Sequence, residues 1–472
     1  MINKFTEGHK DSRVKGIECI IELCVHLLDF PATKLKIAAI ETLSKFTEEN
    51  KDKLADKLLK ARFFVNLFMD LKGEVLKQSE SLIIFMADKF TKEIIQTMWN
   101  CFIRFSDKPE GEVINEMWKV LLPHCDISFI TILGEELRKL DMGKYNDQVL
   151  DFIEHFAKKL KDPKTTAGKQ IFNVKFFWNL IFDDKFPEVH KVSMLDLFIS
   201  IAEDRIKRDC IDCIKVNFME GTSIELSMQF LLKINYIDYK ESESFLYNYK
   251  CIDRCMEACK KFHIKAKDEK SQKRISPNSF LTKARIYLEF LHVVYTTHDK
   301  LCISKEKLNQ IWDLYYTNPL FVEETDLLWD TISKENKEHI GFFNNRNGEI
   351  DFFKCYLENP KMFNVKEMTR RAFECAMKYF NRINNKGDIE SYIGIDFLWK
   401  IAVSADNYIV RQKAIETLIN LYYNSMVATN NEKYSDKVVR GCLKRIFEFK
   451  YTSAKEFKHI FTLLTKLISK YI

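Results

Sequence analysis

Four residues of one short segment carry side chains that bind metals: Cys251, Cys255, Cys259 and His263, each four positions from the next. Thiolate sulfur and imidazole nitrogen hold zinc at about 2.0–2.3 Å in a tetrahedron. The spacing works against such a site. On a helix rising 1.5 Å per residue, Cys251 and His263 stand about 18 Å apart, so only neighbouring pairs could share an ion. A four-residue period is also what a buried helix face produces, and the segment reads as a cysteine-rich face turned to a core. Cys210 and Cys213 form a CxxC within Asp209-Cys210-Ile211-Asp212-Cys213, with neither a second CxxC nor a preceding strand to make it a zinc or thioredoxin-like motif.

A cysteine nucleophile needs an exposed thiolate with a His beside it. Thirteen cysteines and ten histidines are scattered here, and no H-E-x-x-H, G-x-S-x-G or paired-carboxylate pattern organises them. Phosphate-cradling loops are excluded on different grounds. The closest glycines stand seven apart, at Gly341/Gly348 and Gly387/Gly394, so neither GxGxxG nor a Walker A loop can be written. No catalytic, cofactor-binding or metal residue is assigned, and no cofactor is expected.

The elements that carry these residues follow from composition. With 13 Gly and 8 Pro in 472 residues, the chain lies well below the usual about 7% and 5%. Sandwiches, barrels and α/β folds need both residues at many turns, whereas helices joined by short polar turns need few. The expectation is all-α. Apolar residues recur at helical spacing through Ile17, Ile20, Ile21, Cys24, Leu27 and Leu28, then through Leu35, Ile37, Ala38, Ile40, Leu43 and Phe46. The same period predicts further helices, among them 53–71, 188–206, 245–262, 279–297, 305–316, 321–334, 350–358, 364–383, 391–404, 408–426, 435–449 and 453–470. Breaks are expected at Lys161–Lys169, Lys265–Asn278, Asn344–Gly348 and Asn384–Gly387. The second carries Lys265, Lys267, Lys270, Lys273 and Arg274; it reads as a solvated linker, with a basic contact site as the alternative.

Hydrophobic residues make up 46% and charged residues 30%, enough apolar content for a large core. One compact core stops growing near about 250–300 residues, so the length implies several domains or an extended array. A net charge of +6 from 74 basic and 68 acidic residues makes no demand for nucleic acid. Scattered cysteines fit a reducing compartment. Met1–Lys15 lacks a secretory h-region, and Val120–Leu133 and Ile171–Phe182 fall short of the roughly 18 apolar residues of a membrane span.

An internal repeat is present. Ala39-Ile40-Glu41-Thr42-Leu43 recurs as Ala414-Ile415-Glu416-Thr417-Leu418, each in a helix that follows a polar turn and an apolar helix. A looser copy runs from Phe177-Trp178 through Asp183, Asp184 and Pro187 to Leu197, parallel to Leu398-Trp399 through Asp406 and Asn407 to Leu418. Helix, polar turn, helix is the unit of a HEAT or armadillo array. All six tryptophans follow an apolar residue and precede a polar one, as at Met98-Trp99-Asn100 and Leu328-Trp329-Asp330, which marks a recurring core position.

The second half resembles the non-catalytic, armadillo-like N-terminal region of the fat facets-type ubiquitin-specific proteases. The likeness is clearest at Ile393-Gly394-Ile395-Asp396-Phe397-Leu398-Trp399-Lys400-Ile401, followed by Ala405-Asp406-Asn407 and the helix Ala414–Tyr423 with Asn424 and Ser425. Upstream it rests on the order of Tyr287–Leu291, Gln310-Ile311-Trp312, Asp351-Phe352-Phe353 and Phe373-Glu374-Cys375 to Phe380, with Phe177-Trp178-Asn179-Leu180 similar to another helix of that region. It covers residues 170–450. The family's nucleophile box reads Gly-Asn-Thr-Cys, but no cysteine here follows a Thr; the nearest imitation is Cys355-Tyr356 with Asn359. Its Gly-His-Tyr box is also lacking, since no His precedes a Tyr.

The sequence therefore predicts an irregular HEAT/armadillo-like α-α superhelical solenoid, with repeats over 1–264, a basic loop or linker at 265–278, and repeats over 279–472 that continue the first array. The resemblance implies a non-catalytic region that recruits substrates or partners for a cysteine-type deubiquitinase, in a fragment, a truncated gene model or a catalytically dead relative; a general scaffold unrelated to ubiquitin is the alternative. Protein partners such as ubiquitinated clients are expected, without nucleic acid, membrane span or small-molecule substrate. The expected compartment is the cytoplasm, with the nucleus as a further site.

Overall fold

The computed structural model describes residues 10–46, 48–69, 73–160, 175–183, 185–202, 204–298, 300–335, 340–343, 345–384 and 391–429, with scattered helical residues between 440 and 469. The predicted break at 161–169 and most of the predicted helices 435–449 and 453–470 lie outside the described residues. Among those described the chain is all-α, with one isolated antiparallel bridge between Glu335 and Ile340. No described helix is long and apolar enough to cross a membrane.

The chain divides into two compact units at Asp212/Cys213. That boundary falls inside a helix, Asp204–Glu220. Lys265–Asn278 is not a loop throughout: the helix beginning at Cys251 runs on to Ser271. Lys, Ala and Glu are strong helix formers, and a Lys265–Glu269 pair one turn apart supports the extension. A dense run of charge is compatible with a solvated helix as well as with a loop.

In the first unit the helices are α1 (Lys10–Leu28), α2 (Thr33–Leu43), α3 (Lys51–Lys60), α4 (Phe63–Met69), α5 (Gly73–Phe85), α6 (Lys92–Phe105), α7 (Pro109–Leu121), α8 (Ile127–Arg138), α9 (Asp147–Leu160), α10 (Lys175–Ile181) and α11 (Glu188–Ile201), followed by α12 (Asp204–Glu220). The predicted helix 53–71 is thus two, parted where Arg62 takes φ 53°. Local chemistry sets several starts. The Thr91 and Asp126 side chains accept from the Ile94 and Phe129 amides, satisfying donors that a helix cannot pair itself. Several helices pack on one two or three places ahead, giving one row α2–α5–α7–α9–α11 and another α4–α6–α8. Trp99, Phe102, Trp118 and Phe152 interlock where α6, α7 and α9 meet, with centroids 5.2–5.8 Å apart.

The second unit continues with α13 (Ile224–Lys233), α14 (Lys240–Asn248), α15 (Cys251–Ser271), α16 (Pro277–Thr297), α17 (Lys305–Trp312), α18 (Val322–Ile332), α19 (Arg346–Phe352), α20 (Arg370–Ile383), α21 (Ile395–Ser404) and α22 (Tyr408–Thr429). It too holds a continuous row, α13–α16–α18–α20–α22. Two π-turns, Asp313–Thr317 after α17 and Phe353–Leu357 after α19, widen their helices. Gly394, from the stretch that carries the family resemblance, opens α21 at φ 90°, and an added Cβ would collide with the Phe353 ring. Only glycine meets both demands.

The verbatim repeat has one structural meaning at its two occurrences. Ala39, Ile40 and Leu43 are buried, as are Ala414, Ile415 and Leu418, while Glu41 and Glu416 are exposed. Thr42 and Thr417 each donate to the carbonyl four residues back, at 2.8 and 2.7 Å. In the looser copy, Trp178 packs on Phe198 at 5.6 Å, and Leu197 itself is half-buried. All six tryptophans are buried.

Candidate functional site

Lys250, at φ 50°, ends the turn after α14 and lets α15 start. The helical period then stacks Cys251, Cys255, Cys259 and His263 on one buried face with Ile252, Met256 and Ala266. The small thiols leave room for α13, α14 and α16, all of which pack on α15. Burial pushes the Cys255 thiol far up and raises Cys251 likewise, since a buried thiolate loses its hydration. Among the described residues no group of three His, Cys, Asp or Glu side chains could hold a metal ion.

The structure adds partners that the sequence did not reveal. His263 Nε2 lies 3.1 Å from Glu324 Oε2, and His263 Nδ1 lies 3.0 Å from the Cys259 carbonyl oxygen and 3.7 Å from Cys259 Sγ. Cys259 Sγ is 3.2 Å from the Tyr315 hydroxyl, which donates to the Ala284 carbonyl at 3.4 Å. Glu324 Oε1 accepts the Phe321 amide at 2.7 Å, placing the carboxylate at the N-terminal turn of α18, where the helix dipole favours a negative charge. Burial disfavours charge on His263, but the Cys259 sulfur and the Glu324 carboxylate outweigh it and raise its pKa to about 10. An imidazolium with both N–H groups donating fits this geometry.

Thiol, imidazole and carboxylate in line are the parts of a cysteine-nucleophile triad. Access is what differs: Cys259 is 1% exposed, His263 5% and Glu324 0%. What the cluster can do is bind α15 to α18 and, through Tyr315, to α16. A second buried carboxylate acts alike in the same unit. Glu349 Oε1 accepts from Arg382 Nε at 2.9 Å and from the Ile340 amide at 3.2 Å, fastening α19 to α20 and to the 340–343 turn.

The remaining sequence candidates disperse. Cys210 is buried and Cys213 half-buried along α12. Of the basic residues, Lys270 donates to the Leu320 carbonyl and sits 4.5 Å from the Phe321 ring centre, while Lys267, Lys273 and Arg274 are exposed. Cys355 lies in the second π-turn and is exposed.

In the first unit a cavity of about 530 Å³ opens between successive members of one row, α9 and α11. Asp147, Asp151, Glu154 and Asp196 rim it over Leu150, Met194 and Leu197. Partial burial works against the Asp151 charge, yet hydrogen bonds from Lys119 and Asn115 hold its carboxyl below the usual range. Periodicity placed these helices but did not show that their carboxylates share an opening.

Compared with known protein families and with curated proteins, the chain matches no family and no individual sequence.

Proposed function

We propose that this chain is a protein-interaction array of helical repeats, a superhelical solenoid that works by binding and not by catalysis. The observation that carries the reading is the row of helices in each unit, in which each member packs on the next across one or two intervening helices. Such stacking buries one face of every helix and leaves an extended surface for partners. The recurrence of one burial pattern and one Thr back-bond at Ala39–Leu43 and Ala414–Leu418 supports a repeated unit.

The resemblance over 170–450 directs the reading to one class of partner. The array would recruit ubiquitinated clients, or partners of a cysteine-type deubiquitinase, and raise their concentration near a separate protease domain. The opening between α9 and α11 offers a surface on which a partner segment can lie.

Capture from lysate tests this, using the immobilised chain against a control with Asp151, Glu154 and Asp196 changed to Lys. Enrichment over the control of ubiquitin-conjugated proteins, or of a protease bearing a Gly-Asn-Thr-Cys box, is the expected result. Enrichment of proteins with neither character would leave a general scaffold. Recovery equal to the control would contradict both.

A further inference from the structure

A cavity of about 330 Å³ in the second unit lies between α17, α19 and the second π-turn. Its floor is apolar: Leu308, Phe342, Phe343 and Phe352 are all buried, with Tyr356 closing one side. Its rim carries two exposed thiols, Cys302 from the segment before α17 and Cys355 from the π-turn. Lys305 and Asp351 also line it.

The π-turn is a second observation at the same place. The Glu358 amide donates to the Phe353 carbonyl at 3.0 Å, five residues back. Such turns are under about 1% of residues, occur mostly as single bulges inside helices, and are frequent at functional sites. This one is held in place, because the Tyr356 hydroxyl donates to Asn309 Oδ1 at 2.6 Å and its ring packs 5.2 Å from Trp312. The volume falls within the range of small-molecule pockets, which join apolar walls to a few polar groups.

We propose that this cavity is a covalent capture site for apolar α,β-unsaturated carbonyl compounds, with Cys355 and Cys302 as the thiols that take them. The apolar body of the ligand enters between the phenylalanines, which holds its electrophilic carbon at the thiol rim and makes the addition effectively intramolecular. A thiol gives its proton to water, and the thiolate sulfur forms a C–S bond to the β-carbon. The C=C electron pair moves toward the carbonyl, giving an enolate whose charge rests on oxygen, and a proton from water returns to the α-carbon. Nothing is oxidised and no group leaves. Lys305 supplies the rim with a cation, the charge that favours an enolate oxygen.

Cys19 is exposed on α1, is not among the residues that line this cavity, and serves as an internal reference. The full chain is treated separately with benzylideneacetone, an apolar enone, and with acrylamide, a small polar acceptor of the same reaction, and adducts at each cysteine are timed by peptide mass spectrometry. With the enone, the rate at Cys302 or Cys355 relative to Cys19 is expected to exceed the same ratio with acrylamide by at least about tenfold, the gain expected from burying one ring. The saturated ketone 4-phenylbutan-2-one, which cannot react, should slow enone addition at Cys302 and Cys355 and leave Cys19 unaffected. An Ile303→Trp change, which places an indole at the cavity wall, should remove the enone preference. Equal ratios for the two acceptors, or no protection by the saturated ketone, would overturn the proposal, and neither result depends on whether the variant folds.

Discussion

The two units close their cores by different means. Among the described residues of the first, aromatic and aliphatic side chains fill the interior, and Lys191 is the one charged group below a tenth exposure. The second buries Glu324, Glu349, His263 and Arg411 amid a core that is also rich in aromatic side chains. Apolar packing is non-directional, so it rewards burial without naming a partner. A buried charge must find its counter-charge, and deleting one member leaves the other uncompensated. Glu324 and Glu349 therefore specify which helices meet, which the Phe152 cluster of the first unit does not do to the same degree.

Glu324→Ala should break this contrast most severely. It strands the His263 imidazolium in the core at a cost of about 3–5 kcal/mol, whereas the double change His263→Leu with Glu324→Leu should recover most of that. Urea unfolding followed by tryptophan fluorescence measures both. Equal losses in the single and double variants would mean that the pair does not pin α15 to α18. The repeat gives the opposite kind of test, one of likeness. Ile40→Ala and Ile415→Ala remove the same side chain from equivalent positions that are 0% and 1% exposed, so each should cost about 2–4 kcal/mol. A disparity beyond that range would show that the shared pentapeptide lacks a shared environment.

The gentlest perturbation is pH, and here two histidines of the second unit oppose each other. His263, raised to about 10 from 6.5, stabilises the fold in full below about pH 6.5, and that contribution declines until it is gone once pH passes about 10. His292 is lowered to about 4 by burial, with Lys334 adding to the effect, and its Nε2 has no hydrogen-bond partner. Its neutral form contributes fully above about pH 6.5 and loses that contribution as pH falls toward about 4. Stability of this unit should crest near pH 6.5. His263→Gln should flatten the alkaline limb and His292→Gln the acid limb; an alkaline limb unchanged by His263→Gln would contradict the assignment.

What sequence could and could not reveal follows the same division. Helical period alone identifies the buried face Cys251–His263 and the pentapeptide repeat, because both depend on neighbours three and four residues away. Glu324 stands 61 residues from His263, so nothing local marks it as a partner. The helix Asp204–Glu220 went unread beyond 206, since Lys207, Arg208, Asp209 and Asp212 obscure the buried stripe of Cys210, Ile211, Ile214 and Phe218. The cavity at Cys302 and Cys355 was illegible for a related reason: its walls come from separate helices and a π-turn that no period announces.

On the proposed function this chain acts by binding, and its Cys259–His263–Glu324 line is structural. Hydrolysis of a fluorogenic ubiquitin C-terminal substrate by the full chain tests this most directly. Release should stay at the buffer rate and be unaltered by Cys259→Ala; release above that rate, abolished by Cys259→Ala, would contradict it.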